Sequence, residues 1–158
     1  MVWNSHIPVK SAATTWKLLC NAGAVDLNVQ KKGVKLPSRC YVCCQYEESL
    51  KHLLWECEFA KKVWKCVCLK FKFRNWCSSL LDARKATNGR SPMIKQLWDA
   101  AIVGTIVTLW RHRNTIYHDD RHNDLSRYTS MIRREIRALI THFHSWAFLQ
   151  QDCRPPNS

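Results

Sequence analysis

The sequence predicts a mainly α protein: a small zinc-stapled helical domain with a Cys-Cys-His-Cys site, followed by a long antiparallel helical hairpin. Three observations carry that prediction. Only 4 Gly and 5 Pro in 158 residues leave too few turn formers for a β-sandwich. Apolar residues make up 46% of the chain and include 8 Trp, enough for a core and too many for wholesale disorder. Apolar side chains also recur at helical spacing through two long stretches of the C-terminal half.

Each element has its own signal. Pro8 introduces a helix to about Cys20, with Trp16, Leu19 and Cys20 at core spacing, and Gly23 is expected to stop it. Asp26 is expected to cap a second short helix, Leu27 to Lys32, which Gly33 ends in the left-handed conformation. Glu48 to Trp55 reads as a short helix carrying His52. A helix from about Phe59 to Val67 turns Val63, Trp64 and Val67 inward and Lys61, Lys62 and Lys65 outward. Strict alternation in Leu69-Lys70-Phe71-Lys72-Phe73-Arg74 predicts a short half-buried strand. Asn88-Gly89-Arg90-Ser91-Pro92 is a run of turn formers and marks a connection between two halves. A first hairpin helix then runs from Ile94 to about Tyr117. After a polar corner, His118 to Asp124, the second spans Leu125 to about Leu149, with Leu125, Ile132, Leu139 and Trp146 recurring every seven residues. The expected division is a zinc-bearing part over 3–78, a linker over 79–92, the hairpin over 93–150 and a disordered tail over 151–158.

Charge and cysteine usage narrow the function. Lys and Arg outnumber Asp and Glu by 25 to 12, a net +13, and 11 basic against 4 acidic residues put +7 between Asn28 and Ser78 alone. Met1 to Ser11 holds no apolar run, so export is not expected. The apolar stretch Ala100 to Trp110 is far shorter than the roughly 20 residues a bilayer requires. Nine cysteines, an odd number with five of them crowded together, favour metal binding in a reducing compartment over a disulfide framework.

The most specific chemistry is Cys40-x2-Cys43-x8-His52-x4-Cys57. Zinc takes four soft or borderline ligands in a tetrahedron, and a two-residue gap lets one knuckle, Arg39 to Cys43, aim two thiolates at a point. His52 and Cys57 supply the second pair. Five positions correspond to about 500° of α-helix, so the two cannot share an α-helical face, and the helix is expected to end near Cys57. Leu53, Leu54, Trp55 and Phe59 are expected to pack around the site. With all four positions filled by protein, one structural Zn²⁺ is expected, contributing on the order of 10–16 kcal/mol to folding. Cys44, beside Cys43, is an alternative ligand.

Ile7-Pro8-Val9-Lys10 with Trp16, Cys40-x2-Cys43, Glu47-Glu48, His52-Leu53-Leu54-x2-Cys57 and Ala60-x3-Trp64 together resemble the reverse-transcriptase zinc-binding domain. That domain lies downstream of the polymerase in plant non-LTR (LINE-type) retrotransposons and genes derived from them. Leu109-Trp110-Arg111-x-Arg113-Asn114 is similar to a helix that often follows it. Thr14 and Thr15 depart from a usually aromatic or aliphatic pair, and Glu58 replaces a common proline. The resemblance implies a piece of such an element, or a descended host gene, keeping the zinc-binding part without polymerase or RNase H.

Other constellations have plainer readings. His118, Asp119, Asp120, His122 and Asp124 sit at the expected corner, where such residues cap helices. His142-x-His144 points to different sides of a helix. Cys66-x-Cys68 and Cys77 are buried thiols by default, with extension of the zinc site or a redox pair as the alternatives. No nucleophile motif is present, so no catalytic residue is expected and the protein is read as a non-enzyme. The basic residues Lys31, Lys32, Lys35, Arg39, Lys51, Lys61, Lys62, Lys65, Lys70, Lys72 and Arg74 surround the zinc motif, and a bound site of about −1 scarcely dents that surplus. With Tyr41 and Tyr46 flanking the knuckle, they are expected to bind RNA or DNA without strong sequence preference. The alternatives are an interaction or self-association scaffold built on the seven-residue seam, with Arg127, Arg134 and Arg137 as its basic face, or a relic without function. No membrane partner is expected, and charge with resemblance suggests the nucleus, otherwise the cytoplasm.

Overall fold

The computed structural model describes residues 7–73 and 77–119, together with Ser130, Arg134, Arg137 and Thr141, which are helical and exposed. The described elements run in the order α1 (Val9–Leu19), α2 (Asp26–Gln30), a π-helical turn (His52–Glu56), α3 (Glu58–Lys70), α4 (Leu80–Lys85) and α5 (Pro92–Asp119). The protein is mainly helical, and no strand occurs among the described residues. The second hairpin helix, its seam and the polar corner beyond Asp119 lie outside them, as do His142, His144 and the tail 151–158.

α5 is the central beam. Every residue from Ala100 to Leu109 is buried, as befits a helix apolar all round and packed on more than one side. Ala100, Val103 and Val107 meet Ile7 and Ala12 on the α1 side. Trp98, Ala101, Ile102, Ile106 and Leu109 join Leu53, Leu54, Val63, Trp64 and Val67 in the larger core. Within it the Trp55 and Trp64 rings stack at 4.7 Å, and the Trp64 indole N–H donates to the Leu54 carbonyl (2.7 Å). The Trp64 indole thus keeps its one polar atom satisfied.

α1 is rotated from expectation. Its buried residues are Ala12, Thr15 and Leu18, whereas Trp16 is 54% exposed and Cys20 lies at the surface. Thr15, fully buried, takes the inward position that spacing alone assigned to Trp16. The stop is Asn21, in the left-handed region (φ 56°), where Ala22 N–H reaches back to Lys17 O and Asn21 N–H to Leu18 O. That pattern is a Schellman cap with Asn in the place of glycine. Gly23 serves close approach instead: a Cβ there would lie 2.9 Å from Leu18 Cδ2 and 3.0 Å from Leu50 Cδ2.

The expected strand at 69–74 is a helix end. α3 continues to Lys70, Lys72 takes a left-handed φ of 56°, and Phe73 and Lys72 donate backbone bonds to Cys68 O and Leu69 O. Alternation arose because a Schellman turn throws Phe71 and Phe73 to the same side, both edge-on to Trp98 (4.9 and 4.7 Å). Arg74 lies outside the described residues. Residues 79–92 carry α4, capped by the Ser79 hydroxyl accepting from Asp82 N–H (3.1 Å). Ala83 is fully buried, and its carbonyl accepts from the Trp98 indole (2.6 Å).

Candidate metal centre

The knuckle is built by two backbone bonds: Cys44 N–H donates to Cys40 O (2.8 Å), and Cys40 N–H to Tyr46 O (2.7 Å). Cys44 occupies the left-handed position that closes the turn (φ 57°), and its exposed thiol points to Tyr41 O at 3.9 Å. The turn therefore spends Cys44 on backbone geometry. It is absent from the ligand cluster, which consists of Cys40, Cys43, His52 and Cys57.

The second ligand pair comes from an element whose pitch the sequence did not reveal. The Ser49 hydroxyl accepts from His52 N–H (3.0 Å) at the start of the turn. The helix then widens, and Cys57 N–H donates to the carbonyl of His52, five residues back (2.8 Å). In a π-turn five residues make about one full revolution. His52 and Cys57 therefore do fall on one side, contrary to the α-helical expectation, and the chain leaves the helix at Cys57 (ψ 135°) as anticipated.

All four candidate ligand atoms lie within 4.8 Å of one another, and Cys43 Sγ is 3.3 Å from His52 Nε2. A tetrahedral zinc site with bonds of about 2.0–2.3 Å has ligand-to-ligand edges of about 3.3–3.8 Å, so the set needs little closure to hold the ion. Cys40, His52 and Cys57 are buried, and Leu53, Leu54 and Trp55 exclude water around them. Burial holds the His52 imidazole below its ordinary range, favouring the neutral form that ligates metal. The Cys40 and Cys57 thiols share a hydrogen bond: with burial it drives Cys40 well up, and against burial it brings Cys57 down. Such a pair is poised for a cation. One Zn²⁺ held by Cys40, Cys43, His52 and Cys57 would tie the knuckle to the π-turn, with no ligand position left for water.

The charged candidates divide into two groups. Lys51 pairs with Glu56 and Lys61 with Glu58, each at 2.6 Å. Lys31, Lys32, Lys35, Arg39, Lys62, Lys65, Lys70 and Lys72 are exposed. Tyr46 is 61% exposed and leans on His52 (5.3 Å), whereas Tyr41 turns inward onto Tyr117 (5.0 Å). Cys66 is exposed, and Cys68 and Cys77 form a buried thiol pair 3.6 Å apart, separate from the ligand cluster.

A buried ionic clasp beside the centre was not anticipated. Arg113 of α5 donates from Nε to Glu48 Oε1 (2.7 Å) and from Nη2 to Glu48 Oε2 (2.5 Å). Asp26 N–H donates to the same carboxylate (3.1 Å). Rather than capping α2, the Asp26 side chain accepts from Arg39 N–H (3.3 Å) and Tyr41 O–H (3.5 Å) and lies 3.9 Å from Arg113. The signal was in the spacing: Arg113 continues the buried stripe Ile102, Ile106, Leu109, and a cation on such a stripe requires a buried acid.

The helical fold and the Cys₃His cluster define a zinc-binding module. Residues 1–64 match the family model described as zinc-binding in reverse transcriptase, so this stretch is similar to that domain. No curated protein and no solved structure matches the chain. Among the described residues, no helix is long and apolar enough to cross a membrane.

Proposed function

We propose that the chain is a non-catalytic nucleic-acid-binding module of LINE-type retroelement descent, which holds RNA or DNA near a polymerase through phosphate contacts. The supporting observation is the state of the charges around the zinc centre. Of the four acids between Asn28 and Ser78, Glu48 is taken up by Arg113, while Glu56 and Glu58 each pair with one lysine. Eight described cations of the same stretch remain exposed, enough to neutralise several phosphates. Nuclear residence accords with this role.

Binding of labelled single-stranded RNA and DNA at several salt concentrations tests the reading. Log affinity should fall linearly with log salt, with a slope of about −0.7 per phosphate contact on a single strand. The double variant Lys62→Glu/Lys65→Glu should make that slope shallower by about 1–2, since each site removed releases fewer counterions. A salt-independent affinity would overturn the proposal.

One observation favours a second role in protein interaction. Val9, Ala13, Trp16 and Cys20 form an exposed stripe along α1, with Val9 74% and Trp16 54% exposed. If this stripe joins two copies, sedimentation of wild type will show a dimer that Trp16→Ser dissociates. A monomer at every concentration would remove that reading.

A further inference from the structure

The clasp has an open side. Asp26, Tyr41, Trp110, Arg113, Asn114 and Tyr117 line a half-open cavity of about 490 Å³ between α2, the knuckle and α5. Three aromatic rings and one guanidinium plane crowd into it: the Arg113 Cζ lies 4.6 Å from the Tyr117 ring centroid, 5.0 Å from Tyr41 and 5.6 Å from Trp110. Tyr117 is 48% exposed, so its ring has surface left to offer. The polar groups are complementary in kind. Asn114 Oδ1 accepts from Arg113 Nη1 (3.2 Å), leaving Nδ2 as a donor without a partner among the described residues. The Asp26 carboxylate accepts through long bonds of 3.3 and 3.5 Å and lies 3.9 Å from Arg113.

We propose that this cavity receives one unpaired nucleobase of a bound strand. Stacking on Tyr117 supplies the sequence-tolerant part of such recognition, because every base has a π-face. Asn114 Nδ2 and Asp26 present a donor and an acceptor, and every base edge carries the converse pair. The rim is suited to the attached phosphates: Lys35 precedes the wall residue Leu36, and Arg39, bonded through its N–H to Asp26, directs an exposed side chain outward. Buried Glu48 offsets Arg113, so the cavity itself does not demand an anion, and a base, uncharged, fits where a free phosphate would not. The inference rests on the nucleic-acid reading above and specifies which part of the strand is gripped.

The test uses the full chain loaded with zinc and a single-stranded oligonucleotide containing 2-aminopurine, beside its duplex form. Wild type should change the probe's fluorescence on the single strand and not on the duplex. Tyr117→Ala should weaken single-strand affinity roughly 5- to 150-fold while Tyr117→Phe preserves it, as expected for loss of one base stack. Asn114→Ala should weaken the single strand without affecting the duplex. Unchanged single-strand affinity in Tyr117→Ala and Asn114→Ala, with a loss in Lys62→Glu/Lys65→Glu, would overturn the cavity while leaving phosphate binding intact. Failure of wild type to bind any polynucleotide would overturn both.

Discussion

Cys57→Ser is expected to abolish stoichiometric zinc binding and to unfold the N-terminal half of the chain, whereas Cys44→Ser should leave both intact. The difference follows from geometry. Cys57 closes the π-turn and carries a buried ligand atom, while Cys44 is an exposed turn residue outside the cluster. Structural zinc in small modules contributes on the order of 10–16 kcal/mol, as much as the whole 5–15 kcal/mol by which a domain outweighs its unfolded state. Loss at Cys44 should remain within about 0.5 kcal/mol, as for other surface substitutions. A strong chelator at neutral pH should reproduce the Cys57→Ser phenotype in wild type.

Acid should act in the same direction. Burial depresses the His52 value in the fold, so its neutral form stabilises above the unfolded value near 6.5, and that stability is lost as pH falls below it. Elemental analysis, with circular dichroism and melting across pH and in the presence and absence of chelator, checks all four results. About one equivalent of zinc in wild type and none in Cys57→Ser is expected. A full equivalent in Cys57→Ser, or a melting curve indifferent to chelator, would refute the site.

What the sequence disclosed and what it hid separate along one physical line. Ligand identity was legible because zinc chemistry restricts residue type and spacing so tightly that Cys40, Cys43, His52 and Cys57 stood out. The helices α3 and α5 were legible because their apolar periodicity persists over several turns. Features decided by a single turn were not. A π-widening, an Asn21 cap in place of Gly23 and a Schellman turn at Lys72 each depend on a few hydrogen bonds that leave little trace in composition. Trp16 misled for a related reason: size and hydrophobicity suggested burial, whereas the rotation of α1 buries Thr15. Pairing between distant residues was the least visible: Asp26 read as a helix cap, and Glu48 and Arg113 read only as members of separate local motifs, with nothing in the sequence to join them.

That pairing carries the second large expected effect. Arg113→Met alone, or Glu48→Gln alone, should lower stability by about 3–5 kcal/mol, because each leaves a buried partner without its counter-charge. Glu48 is 0% exposed and Arg113 4%, so water cannot take over the lost contacts. Burial by itself would lower the Arg113 guanidinium, but hydrogen bonds and charge from Glu48, with Asp26 behind it, outweigh that and hold it above its ordinary value. The double variant Glu48→Met/Arg113→Met should cost far less than the sum of its singles, since neither charge then remains stranded. Zinc content should stay near one equivalent in each variant, because the ligands come from the knuckle and the π-turn, while α5 should lose hydrogen-exchange protection first. Urea melts of the four proteins give the coupling directly. Strict additivity would show that Glu48 and Arg113 act independently, and that the long helix is held to the zinc module by its apolar face alone.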